Sequence, residues 1–331
     1  MSTSHCFSSV LGPTITSYLA LKKALGRHFA VETGVLTHLD RFLVTRNGDA
    51  NALDPQSFAA WSLTLAHLQP TVRRARMRIV RNFCLYWRRS DPDCFIPDPN
   101  GFPAPHAPLR PHIFTEEQIV RLLRVAAKLR PQPHSPLCAE VFRLAIVLLY
   151  TAGLRRGELV RLVLSDYDPA ERTLLVRASK FHKSRLVALS EDAVREMNIY
   201  LPARRRLPHA VTAPLLANCC RGLRAYSGVS FGHSMSGLFR RADVRTAQGR
   251  FPRVHDIRHT YAVHALLRWY RAGVDVQAKL PVLATAMGHV SIASTAYYLP
   301  FLEAIAQAAG ERFDNHCRPT LTALPHGGGE R

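Results

Sequence analysis

The sequence predicts a mainly α-helical protein of two helical domains, the second carrying a small antiparallel β-sheet. Three observations lead there. Apolar residues recur at helical spacing through most of the 331 residues. A proline-dense stretch, Ser90 to Pro111, interrupts that pattern once. Two short β-type runs, Arg172–Ala178 and Arg185–Leu189, flank a polar loop at Ser179–Ser184.

In chain order, Thr14–Phe29 and Val35–Val44 carry helical spacing, and Asp54-Pro55 reads as an N-cap followed by the first helical position. Thr71–Arg89 is predicted as a helix with Val72, Ile79, Val80, Phe83 and Trp87 on one side. Six of its arginines, Arg73, Arg74, Arg78, Arg81, Arg88 and Arg89, fall in an arc of roughly 160°. That face holds almost no acid. It repels itself unless a polyanion lies against it. Ser90 to Pro111 cannot hold a helix and is expected to be an extended linker, dividing a domain at 1–108 from one at 109–331.

Beyond it, Thr115-Glu-Glu-Gln118 opens a helix as a capping box. Val141–Thr151 is nearly continuous apolar sequence, predicted as a buried helix that Gly153 ends; Arg156–Leu164 begins another. Asp166-Tyr-Asp-Pro-Ala reads as a turn. After the two strands the helical pattern resumes at Glu191 and continues through Ser234–Val244, Asp256–Arg271 and Leu280–Met287, with Gly288 at a C-cap position.

Composition narrows the function. The formal net charge is +20, the sign that attracts polyanions, nucleic acid above all. Only six of the 44 basic residues are lysine, an arginine bias that a GC-rich genome also produces. No apolar run is long enough to cross a bilayer and the N-terminus lacks the features of a signal peptide, so a cytoplasmic location is expected. Seven scattered cysteines with no C-x-x-C pair argue against a disulfide framework and a zinc ribbon. No Gly-Lys dipeptide occurs, which excludes a P-loop.

Four segments carry chemistry: Ala152-Gly-Leu-Arg-Arg-Gly-Glu158, Ser179-Lys-Phe-His-Lys-Ser-Arg185, His255-Asp-Ile-Arg-His-Thr260, and Met287-Gly-His through Tyr297-Tyr298. Attack on a phosphodiester builds charge on its non-bridging oxygens, and two fixed arginines, Arg155 and Arg258, are candidates to clamp them. His255 lies three residues before Arg258, on the same helical face. A phenol is a weak nucleophile at neutral pH and needs a base or a cationic field. Converging arginines and histidines supply one. Each residue alone has a duller explanation, as solvated charge or packing; their joint order and spacing set them apart.

That order resembles the tyrosine recombinase (phage integrase) family over roughly Pro111 to Phe313. The resemblance implies a 3′-phosphotyrosine on Tyr298, Lys180 as general acid with Lys183 as fallback, and Arg155, Arg258 and His289 at the transition state. His255 would assist proton transfer, with Glu158 and His259 in support. The hairpin departs from the pattern at Phe181-His182, and the Tyr297–Tyr298 pair leaves Tyr297 as a lesser candidate. Arg73, Arg74, Arg78, Arg81, Lys183 and Arg185 are the candidate DNA contacts. The N-terminal domain would then be a DNA-clamping domain and the C-terminal one catalytic. The partner implied is double-stranded DNA, bound by a tetramer that sibling recombinases could share, with no metal or other cofactor. Type IB topoisomerases use the same residue set, which leaves DNA relaxation as the alternative activity. The Gly-His-Val-Ser-Ile run and the Trp269–Lys279 insert look like the transposon- and plasmid-borne branch.

Overall fold

The computed structural model describes residues 7–26, 29–46, 53–104, 110–177, 184–208, 210–219, 222–289 and 291–299. Its backbone divides into two compact units, Met1–Leu109 and Arg110–Arg331.

The first unit is built from α1 (Gly12–Ala24), α2 (Ala30–Thr45), α3 (Pro55–Thr64) and α4 (Pro70–Trp87). Their apolar faces meet around Ile15, Leu36, Leu39, Trp61, Val80 and Phe83, all fully buried. The buried Asp40 ties down the chain ahead of α1 by accepting from the Ser8 and Ser9 amides and the Ser9 hydroxyl. Asp54 caps α3 through the Ser57 amide, as its place before Pro55 predicts. Helix α1 stops short of the expected Phe29 because Gly26 takes a left-handed conformation (φ 74°).

Two sequence expectations change here. Val72 is exposed, because the first turn of α4 lies beyond the core that Met77, Val80, Phe83 and Cys84 fill. The described part of the proline stretch is no free spacer. Phe95 and Phe102 pack against Phe58, with ring centroids 5.9 and 6.1 Å apart. Arg74 and Arg81 of α4 donate to the Pro103 and Pro97 carbonyls, so proline-rich backbone without amide donors is held through its acceptors. Arg78, Arg88 and Arg89 remain exposed on the basic face, and Arg73 is half-buried.

The second unit begins with α5 (Glu116–Ala127), opened by the expected Thr115–Gln118 capping box, and the buried α6 (Cys138–Thr151). A single turn, α7 (Arg156–Leu159), replaces the longer helix expected there. Strands β1 (Tyr167–Asp168), β2 (Thr173–Val176) and β3 (Arg185–Ala188) form one antiparallel sheet, pairing Tyr167 with Leu174 and Val176 with Arg185. The Asp166–Ala170 segment is therefore not simply a turn. It supplies a third strand, and Asp166 is engaged by the Val163 amide and by Arg177.

Helix α8 (Glu191–Arg204) packs on α6, and a second hairpin follows, β4 (Ala217–Asn218) with β5 (Arg224–Ala225). Helices α9 (Gly228–Arg241), α10 (Val254–Arg271), α11 (Val276–Met287) and the short α12 (Ala293–Ala296) complete the described chain. Among the described residues no helix is long and apolar enough to cross a membrane.

Gly153 sets the turn between α6 and α7. Its φ is +59°, and a Cβ there would run into the ring of Tyr261 on α10. Gly153→Ala is therefore expected to lower stability by roughly 2–4 kcal/mol, combining overpacking with left-handed strain. Urea unfolding measures this; an unchanged midpoint would contradict the packing described.

Candidate active site

Three ends of secondary structure meet in the second unit: the turn from α6 into α7, the start of β3, and the C-terminus of α11. Glu158, on α7 and 3 % exposed, is the carboxylate around which they gather. It accepts from the Arg155 amide at 2.9 Å and Arg155 Nη1 at 2.7 Å. It also accepts from Arg185 Nη1 and Nη2, at 3.1 and 3.0 Å. Burial alone would make this carboxyl harder to ionise. Hydrogen bonds and charge from Arg185 and Arg155 outweigh that and hold its pKa at about 2.

The same arginines hold the end of α11. Gly288 adopts the left-handed C-cap conformation (φ 66°) its position predicts. Its carbonyl accepts from Arg155 Nη2 at 2.8 Å, and Arg185 Nε donates to the Ala286 carbonyl at 2.9 Å. Arg185, expected to face DNA, is turned inward. Its Nε and both Nη atoms are engaged within the protein, because the β3 register points it at Glu158.

Arg258, on the first turns of α10, is 1 % exposed. It donates to the Gly153 carbonyl and to the Met287 carbonyl, so one guanidinium bridges the α6–α7 turn and the α11 terminus. Burial first, then the nearby Arg155, lowers its pKa to about 10, still cationic at neutral pH. His289 follows the glycine cap. Its Nδ1 meets the Thr295 hydroxyl at 2.8 Å, and enclosure together with Arg258, Arg155 and Arg185 brings its pKa down to about 4.

Tyr298 lies just past α12 and is 3 % exposed, its ring among Ala262, Leu266, Leu283 and Met287. The hydroxyl sits 3.1 Å from His259 Nδ1. Burial raises the phenol's pKa, while Arg258 and Arg155 act against the rise. His255 stands exposed at the start of α10, edge-on to His259 with centroids 4.6 Å apart. Partial enclosure, then Arg258 and Arg253, lower its pKa.

The structure thus brings Arg155, Glu158, Arg258, His289 and Tyr298 into one cluster, with His255 at its rim. Lys180 and Lys183 lie outside the described residues. Thr295 was missed from the sequence. A threonine in a small-residue run carries no chemical signature, and only the α11–α12 turn reveals that it fixes the His289 ring.

This arrangement sets the guanidinium groups of Arg155 and Arg258 beside a buried phenol in a helical unit that carries a small sheet. The phage integrase family model matches residues 112–303, more than half the chain. A putative integrase/recombinase of Sinorhizobium fredii, y4rB, is 31% identical over 302 residues, covering 88% of this chain and 93% of that protein. The tyrosine recombinase XerD of Mycobacterium tuberculosis is 31% identical over 193 residues, covering 57% and 56%. Among solved structures, the Tn1549 transposon integrase in complex with transposon right end DNA shares the fold. Its TM-score is 0.60 at 16% identity, over 91% of this chain and 98% of that one. The chain belongs to the phage integrase family, the tyrosine recombinases.

Proposed function

We propose that Tyr298 is the nucleophile with which this tyrosine site-specific recombinase breaks and rejoins double-stranded DNA. One observation carries the reading: a phenol oxygen and four cationic or imidazole side chains, Arg155, Arg258, His259 and His289, gather beside the α11 terminus. The phenol attacks the scissile phosphate, forming a 3′-phosphotyrosine and releasing a 5′-hydroxyl. Arg155 and Arg258 neutralise charge on the non-bridging oxygens, with His289 beside them, and Lys180 protonates the leaving oxygen. Removing one such group typically costs about 10²–10³ in rate. The carbonyl contacts of Arg155 and Arg258 pre-set their guanidinium planes, so little reorganisation is left for the reaction itself.

The remaining roles belong to the same reading. The first unit clamps DNA through exposed Arg78 of α4 and Arg88 and Arg89 just past its end, and the second is catalytic. The protein works as a tetramer on DNA in the cytoplasm, at the nucleoid. Relatives named as integrases and recombinases, and the transposon-end DNA in the Tn1549 integrase structure, favour action on a mobile element.

The test needs no knowledge of the target. The full chain is incubated with a library of nicked, random-sequence duplexes, SDS-resistant adducts are captured, and the modified peptide is mapped by mass spectrometry. A phosphonucleotide on Tyr298 is expected. Adducts on another residue, or none under conditions where the protein binds the library, would overturn the assignment. Binding itself should weaken steeply with salt, because each arginine–phosphate contact releases counterions. A salt-independent affinity would contradict the basic face of α4.

A further inference from the structure

For Tyr298 to attack, some group must take the phenol proton. The resemblance points to His255, but the geometry points elsewhere. His255 is exposed at the rim of the site, and His259, one helical turn further along α10, is the imidazole within hydrogen-bond distance of the Tyr298 hydroxyl. The phenol O–H is enclosed with its ring and needs an acceptor for its proton. His259 Nδ1, 3.1 Å away, is that acceptor when the ring carries its proton on Nε2. An acceptor within reach of the phenol proton is the group that making a phenolate requires, and the charge of Arg258 acts in the same direction. The ring is also neutral at working pH. Burial, then the neighbouring His255, brings its pKa to about 4 despite the adjacent Asp256, with Arg253 and Arg258 adding to the fall.

We propose that His259, rather than His255, is the general base for Tyr298. This rests on Tyr298 being the nucleophile. As the phenol oxygen bonds to phosphorus, its O–H breaks and the proton passes to His259 Nδ1. The bond from phosphorus to the 5′ oxygen breaks, and that oxygen takes a proton from Lys180. In the reverse, joining step His259 returns its proton to the departing phenol oxygen. Burial is the main cause of His259's neutrality beforehand, and the incoming phosphate, an anion, favours the imidazolium once the proton arrives. His255 is then free to hydrogen-bond the phosphate from the rim.

The experiment uses the duplex recovered from the nicked library, read as single-turnover adduct formation. His259→Gln is expected to slow cleavage about 10²–10³-fold with the DNA affinity retained. Introducing 3,5-difluorotyrosine at 298 makes the phenol more acidic and less dependent on a base. It should shrink the His259→Gln deficit to less than about tenfold, while leaving any His255→Gln deficit as it was. His259→Asn serves the same comparison should the Gln variant not fold. A His259 variant as fast as wild type, a deficit untouched by fluorination, or a His255 deficit that shrinks instead would each overturn the proposal. Failure of the underlying reading looks different: wild-type adducts would then map away from Tyr298.

Discussion

Tyr298→Phe is expected to bind DNA as tightly as wild type and to form no SDS-resistant adduct. The substitution removes one oxygen and leaves the ring in place against Ala262, Leu266 and Met287. Its structural cost is the hydrogen bond to His259, about 1 kcal/mol. Its chemical cost is total, because no covalent intermediate forms without the attacking oxygen. Gel-shift titration and SDS gels on the same samples separate the two effects. Tyr297 is the nearest substitute; its ring lies 5.7 Å from that of Tyr298 and is 40 % exposed. A Tyr298→Phe protein that still forms adducts through Tyr297 would reassign the nucleophile.

The second large effect falls on Glu158, which is not expected to touch DNA at all. Glu158→Ala leaves Arg185 and Arg155 without their shared carboxylate in an enclosed site. Breaking a buried ion pair from one side typically costs about 3–5 kcal/mol. It also frees Arg155 and Arg185 from the contacts that aim them at the α11 terminus, so activity should fall even where the protein still folds. The same carboxylate predicts an acid limb. Its folded pKa lies at about 2, below the ordinary glutamate value of 4.5. Its contribution to stability is therefore complete above pH 4.5 and is lost as pH falls from there toward 2. Wild type should lose stability through this window by roughly 3 kcal/mol more than Glu158→Ala does. Urea midpoints at about pH 5 and about pH 3, either side of most of that loss, check this. Parallel curves for the two proteins would show that Glu158 is not held by its arginines.

Local chemistry explains why some features could be read without coordinates. Asp54 before Pro55, the Thr115–Gln118 box and Gly288 at its cap are each decided within a few residues by backbone hydrogen bonding and steric freedom. The motif residues were legible because attack on a phosphodiester calls for cationic side chains and a nucleophile, and because their order along the chain resembles that of the family. What could not be read were contacts made across the fold. Arg185 looks in sequence like a hairpin cation available to DNA. Arg74 and Arg81 look like solvated members of a basic stripe. Sequence spacing gives a residue's place on its own element but not what lies opposite.

The histidines show the same division. His255 and His259 sit four residues apart on α10, and nothing in their spacing says which one meets a phenol arriving from beyond α12. By itself the amino-acid order determined the family, the helical class, the β-hairpin and the inventory of reactive side chains, since these follow from periodicity, caps and residue chemistry. Only the tertiary structure decided the partners. It turned Arg185 onto Glu158, packed Phe95 and Phe102 of the proline stretch against Phe58, and set the Tyr298 hydroxyl against His259. Partners depend on where separate elements come to rest, and that is settled by packing over the whole unit rather than by any local stretch of chain.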